Sequence, residues 1–176
     1  MTWRHNSILN DMTQTLDENK PENIKIYADL PNFKTNGASI PPNIMVTRSK
    51  PDLVLVDSST SPQTVYLFEL TVCFERAGNL EAANNRKYNR YSGLATDIED
   101  NGYQCRNIPF EVGSRGHLTP ENRTRMSMLH KLCSPRVKFT NFCQNICKTS
   151  LLCSYSIFLS RNDPWTGADY LMPVKK

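Results

Sequence analysis

No stretch of this chain approaches the ~20 consecutive apolar residues that a membrane span requires. The N-terminus, Met-Thr-Trp-Arg-His-Asn, carries no apolar signal region, so the protein is expected to be intracellular. There is no internal repeat and no low-complexity tract. Six cysteines are present (Cys73, Cys105, Cys133, Cys143, Cys147 and Cys153), but they form no Cys-x-x-Cys pair and have no matched histidine pair. Cys143 and Cys147 are spaced i, i+4 without a second ligand pair, so buried reduced thiols and no zinc are expected. Strong net charge is also missing. A formal +4 and a pI near 8.7 permit a phosphate-rich partner without demanding one.

What is present is enough chain for one domain with a core of its own: 176 residues, 39% of them hydrophobic, with a mean hydropathy of −0.51. Two segments stand out, Lys50-Pro-Asp-Leu-Val-Leu-Val-Asp57 and Tyr66-Leu-Phe-Glu-Leu-Thr-Val72. Each reads as a β-strand, and each sets a carboxylate, Asp52 or Glu69, among apolar residues. A buried strand rarely tolerates an acid without a partner or a metal. Side chains alternate along a strand, so Asp52 shares a face with Val54 and Val56, and Glu69 shares one with Val65, Leu67 and Thr71. Both faces are mostly apolar, which implies a sheet covered by helices on both sides. The polar stretch 57–64 reads as a hairpin turn that brings the two acids close. Paired carboxylates suit a hard divalent cation such as Mg²⁺ and hence phosphodiester chemistry.

Apolar spacing predicts a helix over 3–18, ended by Lys20-Pro21, and a first strand at Ile24–Ala28. Residues 29–43 read as loop. Strands are expected at about 51–57 and 64–73, a long helix over 77–99 and a further strand over 107–113. Thr119-Pro120 is a good helix start, since threonine caps and proline suits the first position. That helix is expected to run to about Cys133, with another over 138–152. The order describes an α/β sandwich with a central mixed sheet. The expected division is a core over 1–135 and a C-terminal helical extension of the same domain over 136–176.

Phosphodiester cleavage calls for a cation beside the attacking water. Two residues past Glu69 stands Thr71, which carries no charge. The long helix offers Lys87, on a stripe with Leu80, Ala83, Tyr91 and Leu94. Residues 84–90 hold three cations and no acid. Residues 115–138 hold Arg115, Arg123, Arg125, Lys131, Arg136 and Lys138 against Glu121 alone, a possible nucleic-acid-facing surface.

Together these residues resemble the PD-(D/E)XK nuclease superfamily. More narrowly, they are similar to the restriction-like endonuclease domain of site-specific non-LTR retrotransposons. Arg4-His5-Asn6 matches that family's opening signature and Pro51-Asp52 its Pro-Asp. Glu69-Leu70-Thr71 occupies the acid strand, Arg86-Lys87-Tyr88 with Tyr91 the lysine element, and Phe110-Glu-Val-Gly-Ser-Arg-Gly116 the next strand. The resemblance spans about residues 3–132. It implies a restriction-endonuclease-like fold and a Mg²⁺-dependent DNA endonuclease, with Mn²⁺ as a substitute ion, acting in the nucleus. Asp52, Glu69 and the Leu70 carbonyl would be the metal ligands and Lys87 the catalytic cation, with Arg86 its rival. Arg4, His5, Arg86 and Arg115 would contact DNA. Glu111 is either an accessory acid or an ion-pair partner. The superfamily's usual lysine is Thr71 here. The reverse transcriptase and zinc knuckle that usually precede the domain are not in the sequence, so the chain is expected to be the C-terminal piece of such an element or a stand-alone derivative. A non-catalytic DNA-binding module and a structural domain without DNA affinity stay open beside the nuclease.

Overall fold

The computed structural model describes residues 2–31, 33, 40–75 and 79–162, with the side chains of 2, 79–88 and 162 outside that description. Helix α1 (Thr2–Asp17) leads into strand β1 (Ile24–Ala28), followed by β2 (Leu53–Asp57) and β3 (Thr64–Cys73). Helix α2 (Asn79–Asp100) then crosses to β4 (Gln104–Gly113), and α3 (Pro120–Cys133) and α4 (Phe139–Leu159) complete the fold. The four strands lie in sequence order. β1, β2 and β3 form an antiparallel meander, and β4 adds parallel to β3. A parallel partner needs a crossover of a dozen or more residues, which α2 supplies. The protein is thus an α/β sandwich built on a mixed sheet.

The period-2 alternation of the strands decides the layers. Leu53, Leu55, Tyr66, Phe68, Leu70, Phe110 and Val112 stand on one face and pack against α1, α3 and α4. Val54, Val56, Val65 and Leu67 stand on the other, under Tyr91, Leu94 and Ile98 of α2 and the loop residues Ile40 and Ile44. Every residue of β2 is buried, as a strand covered on both sides must be. α1 turns Ile8, Leu9, Met12 and Leu16 inward, a helical spacing. The inner face of α4, through Phe142, Cys143 and Ile146, joins the same core cluster as α1.

α3 starts as its sequence suggests. The Thr119 side chain accepts from the Asn122 N–H, and Pro120 takes the first turn. α3 also covers the outer edge of β4. The Asn122 side chain accepts from the Glu111 N–H at 3.1 Å, and Arg125 donates to the Pro109 carbonyl at 2.8 Å. Pro109 itself has no N–H to offer and suits an edge strand. At the end of β4 the Gly113 N–H donates to the His117 carbonyl (2.8 Å), and the Gly113 carbonyl accepts from the Ser150 hydroxyl (2.7 Å).

Three boundaries differ from expectation. β2 begins at Leu53, so Asp52 lies just outside it. β4 begins three residues early, because Gln104–Arg106 pair with Thr64–Tyr66 through backbone while Gln104 and Arg106 are polar and exposed and Cys105 is half-buried. α4 runs on to Leu159, since nothing between 152 and 159 breaks a helix. The last residues, from 163 on, lie outside the described part.

Two glycines test the packing in opposite directions. Gly116 has φ of +85°, and an added Cβ would stand 2.7 Å from the Cys147 carbonyl oxygen. Gly93, in α2, would place a Cβ in open space. In urea denaturation Gly116→Ala is expected to cost about 1–3 kcal/mol, and Gly93→Ala to add about 0.5–1 kcal/mol.

Candidate active site

The strand register builds the site. Leu53 pairs with Phe68 at the start of β2, so one further step sets Asp52 opposite Glu69. β2 stops there, while β3 continues to Cys73 with β4 alone beside it. The Asp52 carboxylate fills the missing partner's place: its Oδ2 accepts from the Leu70 N–H at 2.9 Å. In return the Asp52 N–H donates to Glu69 Oε1 at 3.1 Å. Asp52's own carbonyl accepts from the Asp29 N–H at 3.0 Å, tying the bend to the end of β1. The two acids therefore interlock. Glu69 is fully buried, and the Asp52 side chain keeps 13% of its surface.

Helices on both sides of the sheet reach this pair. From α1, His5 Nε2 meets Asp52 Oδ2 at 3.1 Å, and His5 Nδ1 meets Asn6 Oδ1 at 3.1 Å. From α2, the buried Tyr91 hydroxyl shares its one proton between the Lys50 carbonyl, 3.1 Å away, and the Glu69 carboxylate, both of which accept. Burial first, then the Glu69 charge and hydrogen bond and the Asp52 charge, push the Tyr91 phenol well above its ordinary range; Arg90, whose guanidinium lies 5.3 Å over the Tyr91 ring, opposes them.

The other expected site residues are placed as follows. Lys87 and Arg86 belong to α2, and Lys87 precedes Tyr91 by one turn; their side chains lie outside the described part. Arg4 turns to α4 and donates to the Ser154 hydroxyl at 2.9 Å, with its Nε buried. Arg115 is held by Glu75, whose carboxylate accepts from the Arg115 backbone N–H at 2.6 Å and from Nε at 3.0 Å. The Arg115 guanidinium also lies over the Phe74 ring. Burial alone would raise the Glu75 carboxyl; the Arg115 and His117 hydrogen bonds outweigh it and hold the group below its usual range. Glu111, opposite Thr71 in the register, is buried with Arg125 3.7 Å away, so it takes the ion-pair role. The Thr71 hydroxyl is buried without a hydrogen-bond partner among the described residues.

Sequence reasoning missed three links: His5 to Asp52, Tyr91 to Lys50, and Glu75 to Arg115. Each joins residues 40 or more positions apart, which no local pattern reports. Among the described residues no three His, Cys, Asp or Glu side chains gather to hold a metal ion, and no helix is long and apolar enough to cross a membrane. Cys143 and Cys147 both have thiols pushed up by burial.

No protein-family model and no curated protein matches this chain. Among solved structures, an N-terminal domain of a reptarenavirus L protein overlaps 93% of this chain and 78% of its own, at 11% identity and a TM-score of 0.39. That overlap is too low to assign a fold family or an activity.

Folded Tyr91 keeps its proton after the unfolded chain has released it, so stability falls as pH rises above about 10. Tyr91→Phe is expected to flatten that loss by about 1 kcal/mol between about pH 10 and 11, the difference in slope approaching about 1.4 kcal/mol per pH unit above that, measured by urea unfolding. Equal slopes in the two proteins would place the phenol in water instead.

Proposed function

We propose that this chain is a metal-dependent DNA endonuclease of the restriction-like type found in site-specific non-LTR retrotransposons. The reading rests on one observation: Asp52 and Glu69, on neighbouring segments, each accept the backbone N–H beside the other. Their oxygen chemistry fits Mg²⁺, which is commonly held by one or two carboxylates together with water and substrate phosphate. Asp52 and Glu69 would hold the ion, and the resemblance adds the Leu70 carbonyl. Once bound, such an ion offsets phosphate charge and acidifies water.

The chain's own residues have separable roles in this reading. The Leu70 N–H and His5 fix the Asp52 carboxylate from two directions, so it does not have to be ordered when substrate arrives. Tyr91 holds Glu69 and, through the Lys50 carbonyl, the segment leading to Asp52. Lys87, one turn before Tyr91, is the proposed cation for the attacking water, with Arg86 as its rival. His5 and Asn6 of the Arg-His-Asn signature acquire a positioning role, since His5 meets the aspartate of the Pro-Asp element and Asn6 meets the other nitrogen of the His5 ring.

A second reading, a DNA-binding module without catalysis, is favoured by Thr71. The superfamily's lysine position holds a hydroxyl that makes no hydrogen bond among the described residues.

Plasmid nicking in Mg²⁺ or Mn²⁺ separates the two. Asp52→Ala and the near-isosteric Asp52→Asn are both expected to lower nicking by at least about 10²-fold, the scale of losing several kcal/mol of charge stabilisation, while DNA binding stays or improves. Nicking by Asp52→Asn at the wild-type rate would overturn the nuclease reading. Binding without nicking by the wild type in either metal would favour the module.

A further inference from the structure

Three of the cations that the sequence pattern offers to DNA are committed elsewhere. Arg4 is turned to Ser154, His5 to Asp52, and Arg115 to Glu75. The segment that enters Asp52 carries two that are not. Arg48 and Lys50 are exposed, and among the described residues neither makes an ion pair.

This segment is braced rather than slack. At its start Ile44 is buried, and its carbonyl accepts from the Asn101 side chain at 3.0 Å; Tyr103 donates to the Asn43 carbonyl at 3.3 Å. In the middle the Ser49 N–H donates to the Thr47 hydroxyl oxygen at 3.0 Å. At its end the Lys50 carbonyl is held by Tyr91, the same phenol that holds Glu69. Pro51 is buried. Between the anchors the chain presents Val46, 87% exposed, then Arg48 and Lys50.

We propose that residues 46–50 are the strand-gripping loop of the Asp52–Glu69 site, with Arg48 and Lys50 holding backbone phosphates beside the one that is cleaved. The proposal rests on the nuclease reading and names how that site takes a polynucleotide. Two residues of non-helical chain separate the Cα atoms of Arg48 and Lys50 by at most about 7 Å, the axial rise of about two nucleotides of one strand. Lys50 is two residues from Asp52, so a phosphate on it lies next to the carboxylates. A charge-neutral sugar face gives the exposed Val46 an apolar neighbour. Arg90, over the Tyr91 ring, adds a third cation on the α2 side. A lone phosphomonoester would use one of these cations; a strand uses them in series.

The test is binding, not cleavage. Fluorescence anisotropy of labelled single-stranded and duplex DNA, in metal-free buffer across a range of salt, compares wild type with Arg48→Ala/Lys50→Ala. A control, Lys25→Ala/Lys148→Ala, removes the same charge from exposed positions on β1 and α4. Each phosphate contact contributes about 0.9 to the slope of log K against log salt on duplex DNA, so the loop variant is expected to lose about 1.8. The control is expected to lose less than half as much, and all three proteins are expected to melt alike. Equal losses in the two variants would overturn the loop assignment and leave the nuclease reading standing. A wild type without DNA affinity would overturn both.

Discussion

The geometry of the site depends on a mismatch in strand length. β2 begins where β3 still has five residues to run. An exposed ladder edge inside a covered sheet would leave the Leu70 N–H unpaired, at a cost of about 1–3 kcal/mol. The Asp52 carboxylate removes that cost, and the Asp52 N–H does the same for one oxygen of Glu69. Two acids that would otherwise repel are thus placed side by side by backbone donors. The electrostatic cost of keeping both in one place is met by structure that the fold needs anyway. His5 and Tyr91 then extend the arrangement to a helix on each side.

Much of this was legible in the sequence. Alternation in 53–57 and 64–72 gave both faces of the sheet correctly, and the proline–aspartate and acid-strand positions gave the pair. Thr119-Pro120 marked α3 to the residue. What escaped was of two kinds. Gln104–Arg106 join β4 by pairing with β3, and the polar Gln104 and Arg106 around Cys105 hide a strand. The fate of each arginine was also hidden. A guanidinium on a basic-looking surface reads the same whether it faces water, as Arg48 does, or is bound by a residue distant in sequence, as Ser154 binds Arg4 and Glu75 binds Arg115. Local pattern reports that a cation exists; only the fold reports whether its donors are already taken.

Asp52 shows how a right conclusion can rest on a partly wrong step. Parity along an assumed strand put it beside Glu69. It lies instead in the bend before β2, and the pairing holds because the register continues for one residue past the strand's end while the side chain turns to the β3 backbone. That position also connects the acid directly to the exposed segment 46–50. A carboxylate at a strand's entry, rather than inside it, has one neighbour in the core and one at the surface.

The covered edge of β4 has a consequence for how other chains approach the protein. Pro109 offers no N–H and its carbonyl is taken by Arg125; the Glu111 N–H is taken by Asn122; both polar groups of Gly113 are taken by His117 and Ser150. A foreign strand arriving there would find no outward N–H to pair with over 109–113. The sheet is therefore a poor template for growth along that stretch, which disfavours strand addition there. What a companion macromolecule meets over 109–113 is the α3 side chains Asn122 and Arg125 rather than a free ladder.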